Sequence, residues 1–182
     1  MSHLLSYKDG CMNNFLEKLG SYHIFTNIIP GAFFALALKY LFGVQLSTGG
    51  VEDILIYYFV GLLIGRIGSL IVVRVLRKKV TIRGKEYCFI RYAPYPDYLK
   101  AVKLDNKIDV LSETNDCFRN LLTASLLLIP FVHFYSQFIQ PVPLYTSWRC
   151  IAILLLIALF AFAFREQANH IRRRVEIVLE QT

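Results

Sequence analysis

The sequence predicts an all-α integral membrane protein with four transmembrane helices and both termini in the cytoplasm. Three observations carry that expectation: high apolar content, four apolar runs of similar length, and an uneven placement of positive charge. The 182 residues are 55% hydrophobic and 14% aromatic with a mean hydropathy of +0.47, which is high for a water-soluble domain of this size. The net charge of +7 would suit nucleic acid, anionic lipid or cytoplasmic loops, so its distribution has to decide.

The runs fall at about 24–43, 54–73, 120–139 and 148–164. Each approaches the ~20 residues that a helix needs to cross ~30 Å of hydrocarbon. Helices are required because backbone polar groups inside a bilayer must be satisfied within the segment. Of the 20 Lys and Arg residues, 11 lie between Arg74 and Arg119 and four more follow the last run, whereas 44–53 and 140–148 hold none. The positive-inside rule therefore places the loop 75–118 and the C-terminal segment 165–180 in the cytoplasm and the two short loops outside. Tyr40, Tyr145 and Trp148 sit near the outer boundary, where aromatic belts occur.

The chain reads as one membrane domain over 1–182 with smaller cytoplasmic elements. Met12, Phe15, Leu16 and Leu19 recur at helical spacing before Gly20, which predicts a short amphipathic helix on the inner surface. In the loop, "KVTIRGKEYCFIRY" alternates around Gly84-Lys85 and predicts a small hairpin, and "YPDYLKAVKL" predicts a helix opening at its prolines. If the last helix continues from 148 to about 179 it is about 48 Å long, so its final turns project beyond the bilayer.

Polar residues within the runs are the next candidates for function. Arg66 lies inside the second run, where a charge is costly unless it snorkels to the surface or faces protein or water. Beside it Gly61, Gly65, Gly68 and Ser69 form a small-residue face containing GxxxG, which lets another helix approach closely. Pro30-Gly31 and Pro130 are expected to kink or weaken their helices. Asn27, Thr123 and Ser125 are read as hydrogen-bonding residues between helices, and His133 either as a group that gates or relays protons or, more simply, as a histidine satisfied by a neighbouring helix. Cys11, Cys88, Cys117 and Cys150 show no CxxC pairing and the four histidines are scattered, so neither a metal site nor a cofactor is expected.

The stretch "REQANHIRRR", 165–174, follows the last run without a break. Ala168, Ile171, Val175, Val178 and Leu179 make an apolar stripe suited to packing against another helix or subunit. Arg165, Glu166, Asn169, Arg173 and Glu176 fall on the opposite side, and His170, about 140° around the axis from Arg165, stands at one margin. As an RNA-cleaving pair, His170 would act as acid or base and Arg165 would stabilise phosphate charge, with two copies completing the site across a dimer. The simpler reading is that Arg165 anchors the membrane boundary and Arg172 to Arg174 meet anionic headgroups.

A small, basic, four-span chain ending in R-x4-H, here "REQANH" with Arg165 and His170, resembles the membrane accessory proteins of type VI-B CRISPR loci. Those proteins accompany a large RNA-guided, RNA-cleaving effector and carry a divergent HEPN-type motif. Where the stricter motif commonly has a polar residue such as Asn after the arginine, this chain has Glu166, whose charge opposes RNA phosphates. The resemblance implies a homo-oligomeric ring in the bacterial inner membrane that strengthens RNA-guided antiphage defence by permeabilising or depolarising the bilayer. Its partners would be lipid and other copies, with a functional link to the CRISPR effector. Pore lining or gating would fall to Arg66, Arg165, Glu166, Asn169 and Arg173, and packing to Gly61, Gly65, Gly68, Ile171, Val175 and Val178. The alternatives are a membrane-tethered HEPN-type ribonuclease, with Arg165 and His170 catalytic and RNA bound directly, and a small transporter or scaffold.

Overall fold

The computed structural model describes residues 24–46, 50–78, 80–82, 85–138 and 148–181. The expected amphipathic helix around Met12 to Gly20 and the boundary residue Tyr145 lie outside them. Among these residues six α-helices occur in order: α1 (Ile24–Phe42), α2 (Val51–Ile67), α3 (Val73–Leu76), α4 (Tyr95–Leu104), α5 (Lys107–Phe138) and α6 (Trp148–Glu180). Four of the resulting rods, Ile24–Phe42, Glu52–Leu76, Lys107–Phe134 and Trp148–Glu180, are long and apolar enough to cross a membrane. Between α3 and α4, β1 (Val80–Ile82) pairs antiparallel with β2 (Lys85–Tyr87), in the stretch whose alternation predicts a hairpin.

Burial against other helices explains why these runs stop and start where they do. Val132 meets Ile153 in one apolar cluster, Leu122 meets Phe164 in the next and Ile108 meets Val175 in the third, so α5 and α6 run antiparallel along their whole lengths. The first cluster also takes Phe34, Leu38 and Leu41 of α1 and Ile64 of α2, and thus fills the interior between all four rods. Phe33 meets Phe160 and Phe34 meets Phe131 edge-to-face, at 5.5 and 5.8 Å between centroids. Outward, Phe59, Leu63, Leu154, Leu155, Leu159 and Phe162 are all more than half exposed. That is the arrangement lipid would stabilise and water would not.

Glycine decides how closely α1 and α2 approach. A Cβ on Gly31 would collide with the Tyr57 carbonyl and one on Gly61 with the Asn27 carbonyl. The backbones are therefore in direct contact, as small-residue crossings allow. Gly65 and Gly68 face α5 instead: a Cβ on Gly68 would come 2.6 Å from Thr123 Oγ1, and one on Gly65 3.3 Å from Asn120 Nδ2. The small-residue face of α2 is thus used twice within one chain. From Gly68 onward the rod widens into a π turn, Gly68–Val72, where the Ser69 hydroxyl donates to the Gly65 carbonyl at 3.0 Å. Pro130 stands inside α5 and the helix continues past it to Phe138.

The third apolar run, expected from about 120, belongs to a helix that begins at Lys107, so much of the loop 75–118 is itself helical. The reason lies at a corner. Asp105 accepts the Lys107 N–H through Oδ1 at 3.0 Å, satisfying a free donor at the start of α5, and Oδ2 takes Arg174 Nε at 2.8 Å and Nη2 at 2.7 Å. Below this corner Ala101 and Ile108 pack on Ile171 and Val175, and Tyr98 shares a 2.8 Å hydrogen bond with Ser112. Ile171 and Val175 of the stripe therefore pack within the chain, with Val178 partly buried beside them.

The Lys107 N–H first and the Arg174 guanidinium second hold the Asp105 carboxyl below its ordinary value of 3.8. A folded-state pKa below the unfolded one gives a contribution present at neutral pH and lost as pH falls through 3.8 and on to the folded value. Protection from hydrogen exchange at Tyr95 to Leu104, taken relative to the intrinsic rate at each pH, is therefore expected to fall below about pH 4 in the wild type. In Asp105→Asn the same protection should be low and nearly pH-independent across that window.

Candidate functional site

Among the described residues two polar places stand out against the apolar body, and several of the residues singled out in the sequence line one or the other. The first is a groove of about 310 Å3 opening on the side of the bundle, lined by Thr26, Asn27, Arg66, Asp116, Arg119 and Asn120 among others. Its centre is Asn120, only 3% exposed, whose Nδ2 donates to the Thr26 carbonyl at 3.4 Å. Asn120 Oδ1 in turn accepts Arg119 Nε at 3.2 Å and Nη2 at 3.1 Å, while Arg119 Nη1 pairs with Asp116 at 2.6 Å. This chain ties α5 to α1 and leaves the Arg66 side chain exposed at the groove's edge. Thr123 and Ser125, expected to bond between helices, instead return their hydroxyls to the Arg119 and Leu121 carbonyls of their own helix, at 2.8 and 2.9 Å. His133, expected to be satisfied by a neighbouring helix, is exposed with its ring near Phe134 of its own helix.

The second is a cleft of about 460 Å3 between α6 and the segment 88–91. Arg165, Asn169, Arg172, Arg173 and Glu176 recur every three or four residues and so form one wall. Cys88, Phe89 and Arg91 form the other. The facing segment is fixed by Ile90, buried against Val72, Leu122 and Phe164, and by the Cys88 thiol, which donates to the Ile90 carbonyl at 2.9 Å. The Arg165 guanidinium lies 5.4 Å from the Phe89 ring centroid, and Arg172 Nε donates to Glu176 Oε1 at 2.8 Å. A neighbouring hollow continues past Arg91 to Tyr92 and Arg77, whose guanidinium sits 4.9 Å from the Tyr92 ring centroid. Burial pushes the Tyr92 phenol up, against hydrogen bonding from Asn115 and the charge of Arg77.

Comparison with known proteins finds no family model, no curated protein and no solved structure that matches this chain. Its geometry alone therefore carries the chemistry. Arg165 lines the cleft and His170 does not: His170 Nε2 faces Glu166 Oε1 at 3.3 Å on the flank of α6. The R-x4-H pair thus points along two directions of one helix, as five residues at about 100° each require. Arg165, Asn169 and Arg173 share the cleft, Arg66 belongs to the groove, and Glu166 to the His170 pair. Among the described residues no group of three or more His, Cys, Asp or Glu side chains is placed to hold a metal ion. The sequence reading missed Asn120, Phe89 and Arg91. For Asn120 a signal was available, since an amide at the head of an apolar run needs a partner; for the other two only the fold brings a distant loop against α6.

Proposed function

We propose that this protein is a membrane-permeabilising effector built from several copies, acting in RNA-guided antiphage defence with both termini cytoplasmic. The observation that carries the reading is the polar groove around Arg66 and Asn120, opening on the outside of a body whose interior is filled by Leu38, Ile64, Leu128 and Ile153. A guanidinium on the flank of an apolar rod is costly against lipid unless it snorkels to the surface, and in this reading it faces water or another copy. With its own interior packed, one copy offers an ion no polar path through the cluster, and a path has to run between copies. The link to RNA-guided defence rests on the resemblance of REQANH and of the whole small, basic, four-span chain.

Dye or ion leakage from liposomes holding the purified protein tests this, beside the oligomer size obtained by cross-linking in membranes. Arg66→Ala is expected to lower the leak at least tenfold, corresponding to about 1.4 kcal/mol. Arg165→Ala and His170→Ala should weaken defence and depolarisation without any RNA cleavage being lost. Monomers only, or wild-type liposomes that stay tight, would overturn the reading. Metal-independent RNA cleavage abolished by His170→Ala would replace it with the ribonuclease, in which a second copy must deliver His170 to the cleft.

A further inference from the structure

We infer that the cleft between α6 and Cys88 to Arg91 is a binding site for a phosphate group, carried by a membrane lipid or by a small soluble ester. Four guanidinium groups, those of Arg91, Arg165, Arg172 and Arg173, line it, and Glu176 is the one carboxylate among its described lining residues. Four positive charges against one negative leave a net +3, and the single carboxylate is already engaged by Arg172 at 2.8 Å. Like charges gathered in about 460 Å3 repel one another, and an anion between them converts that repulsion into attraction.

The residue types narrow the anion. Guanidinium groups present rigid forks of N–H donors that match phosphate oxygens two at a time, and several around one group suit a doubly charged phosphomonoester better than a single carboxylate. The Asn169 amide can donate to a further oxygen, and the partly exposed Phe89 ring beside Arg165 offers an apolar wall for what the phosphate is attached to. Phe164 is fully buried and ends the apolar run, and Arg165 begins the cleft. A helix that crosses a bilayer would thus hold the site at headgroup depth, where basic pockets between helices take anionic lipid. The inference does not require a pore: a monomer has the whole cleft.

Native mass spectrometry of the full-length protein in neutral detergent tests it, with phosphatidic acid, phosphatidylcholine and glycerol 3-phosphate as probes. One phosphatidic acid retained per chain in preference to phosphatidylcholine is the expected result, with affinity falling at least tenfold in Arg91→Gln/Arg173→Gln. Lys100→Gln/Lys103→Gln removes the same charge from the exposed side of α4 and should leave binding intact; thermal unfolding of each variant verifies folding. Glycerol 3-phosphate bound with the same variant pattern supports the site and assigns it to a soluble ester. An equal loss in the lysine pair would show charge attraction without a site, and equal retention of phosphatidylcholine, whose phosphate is a diester neutralised by choline, would show no selection of a phosphomonoester; either overturns the proposal. Tight binding of an oligoribonucleotide that neither phosphate probe displaces also overturns it, in favour of an RNA-binding face.

Discussion

Gly61→Leu is expected to be among the most damaging single substitutions in this chain, although it adds hydrocarbon to an apolar helix. Leucine raises both helix propensity and hydropathy, so an isolated span would be more stable with it. In the fold, however, the new Cβ meets the Asn27 carbonyl, which is backbone and cannot rotate away. The helices must separate, and the Gly31 contact with Tyr57 on the same seam opens with them. The cost should lie at or above the roughly 3 kcal/mol upper end of over-packing, because no rotamer relieves it. Unfolding in mixed micelles would measure it, with Gly50→Ala as the control, since nothing lies within 4 Å of a Cβ there. Equal midpoints for the two variants would show that α1 and α2 do not depend on close backbone contact.

The second large effect is expected at the far end of α6. Ile171→Asp with Val175→Asp places two carboxylates where the native side chains are 5% and 1% exposed, against Ala101 and Ile108. Removing two buried aliphatic side chains alone costs roughly 2–5 kcal/mol each when they become alanine, and a buried charge adds a desolvation penalty. α4 and the first turns of α5 should come away from α6 while the apolar spans stay inserted. Limited proteolysis reads this directly: cleavage near Lys100 and Lys103 should rise sharply, with Arg172→Gln, on the cleft side of the same helix, changing little. If oligomer size falls while that cleavage stays at the wild-type level, the stripe serves contacts between copies instead.

Apolar run length and the absence of charge sufficed to foresee four rods able to cross a bilayer, because both are local properties of consecutive residues. The small-residue face of α2 was legible for the same reason, since Gly61, Gly65 and Gly68 fall on neighbouring turns whatever surrounds them. Which partner each glycine meets was not: Gly61 approaches α1, and Gly65 and Gly68 approach α5. The start of α5 at Lys107 escaped the hydropathy pattern because Lys107 to Arg119 carries charge among its apolar residues and is held by Ile108 packing and by the Asp105 corner.

The R-x4-H motif marks the same boundary. Its spacing already required Arg165 and His170 to leave the helix about 140° apart. Only the tertiary structure decided what each one faces. Arg165 meets Phe89 across a cleft shared with Arg91, some seventy positions earlier in the chain, while His170 faces Glu166 one turn back. Neighbours within a few residues are set by helix geometry, which a sequence carries in full. Neighbours across the bundle are set by which buried faces pack together, here Ile90 against Val72, Leu122 and Phe164, and that choice depends on every helix at once.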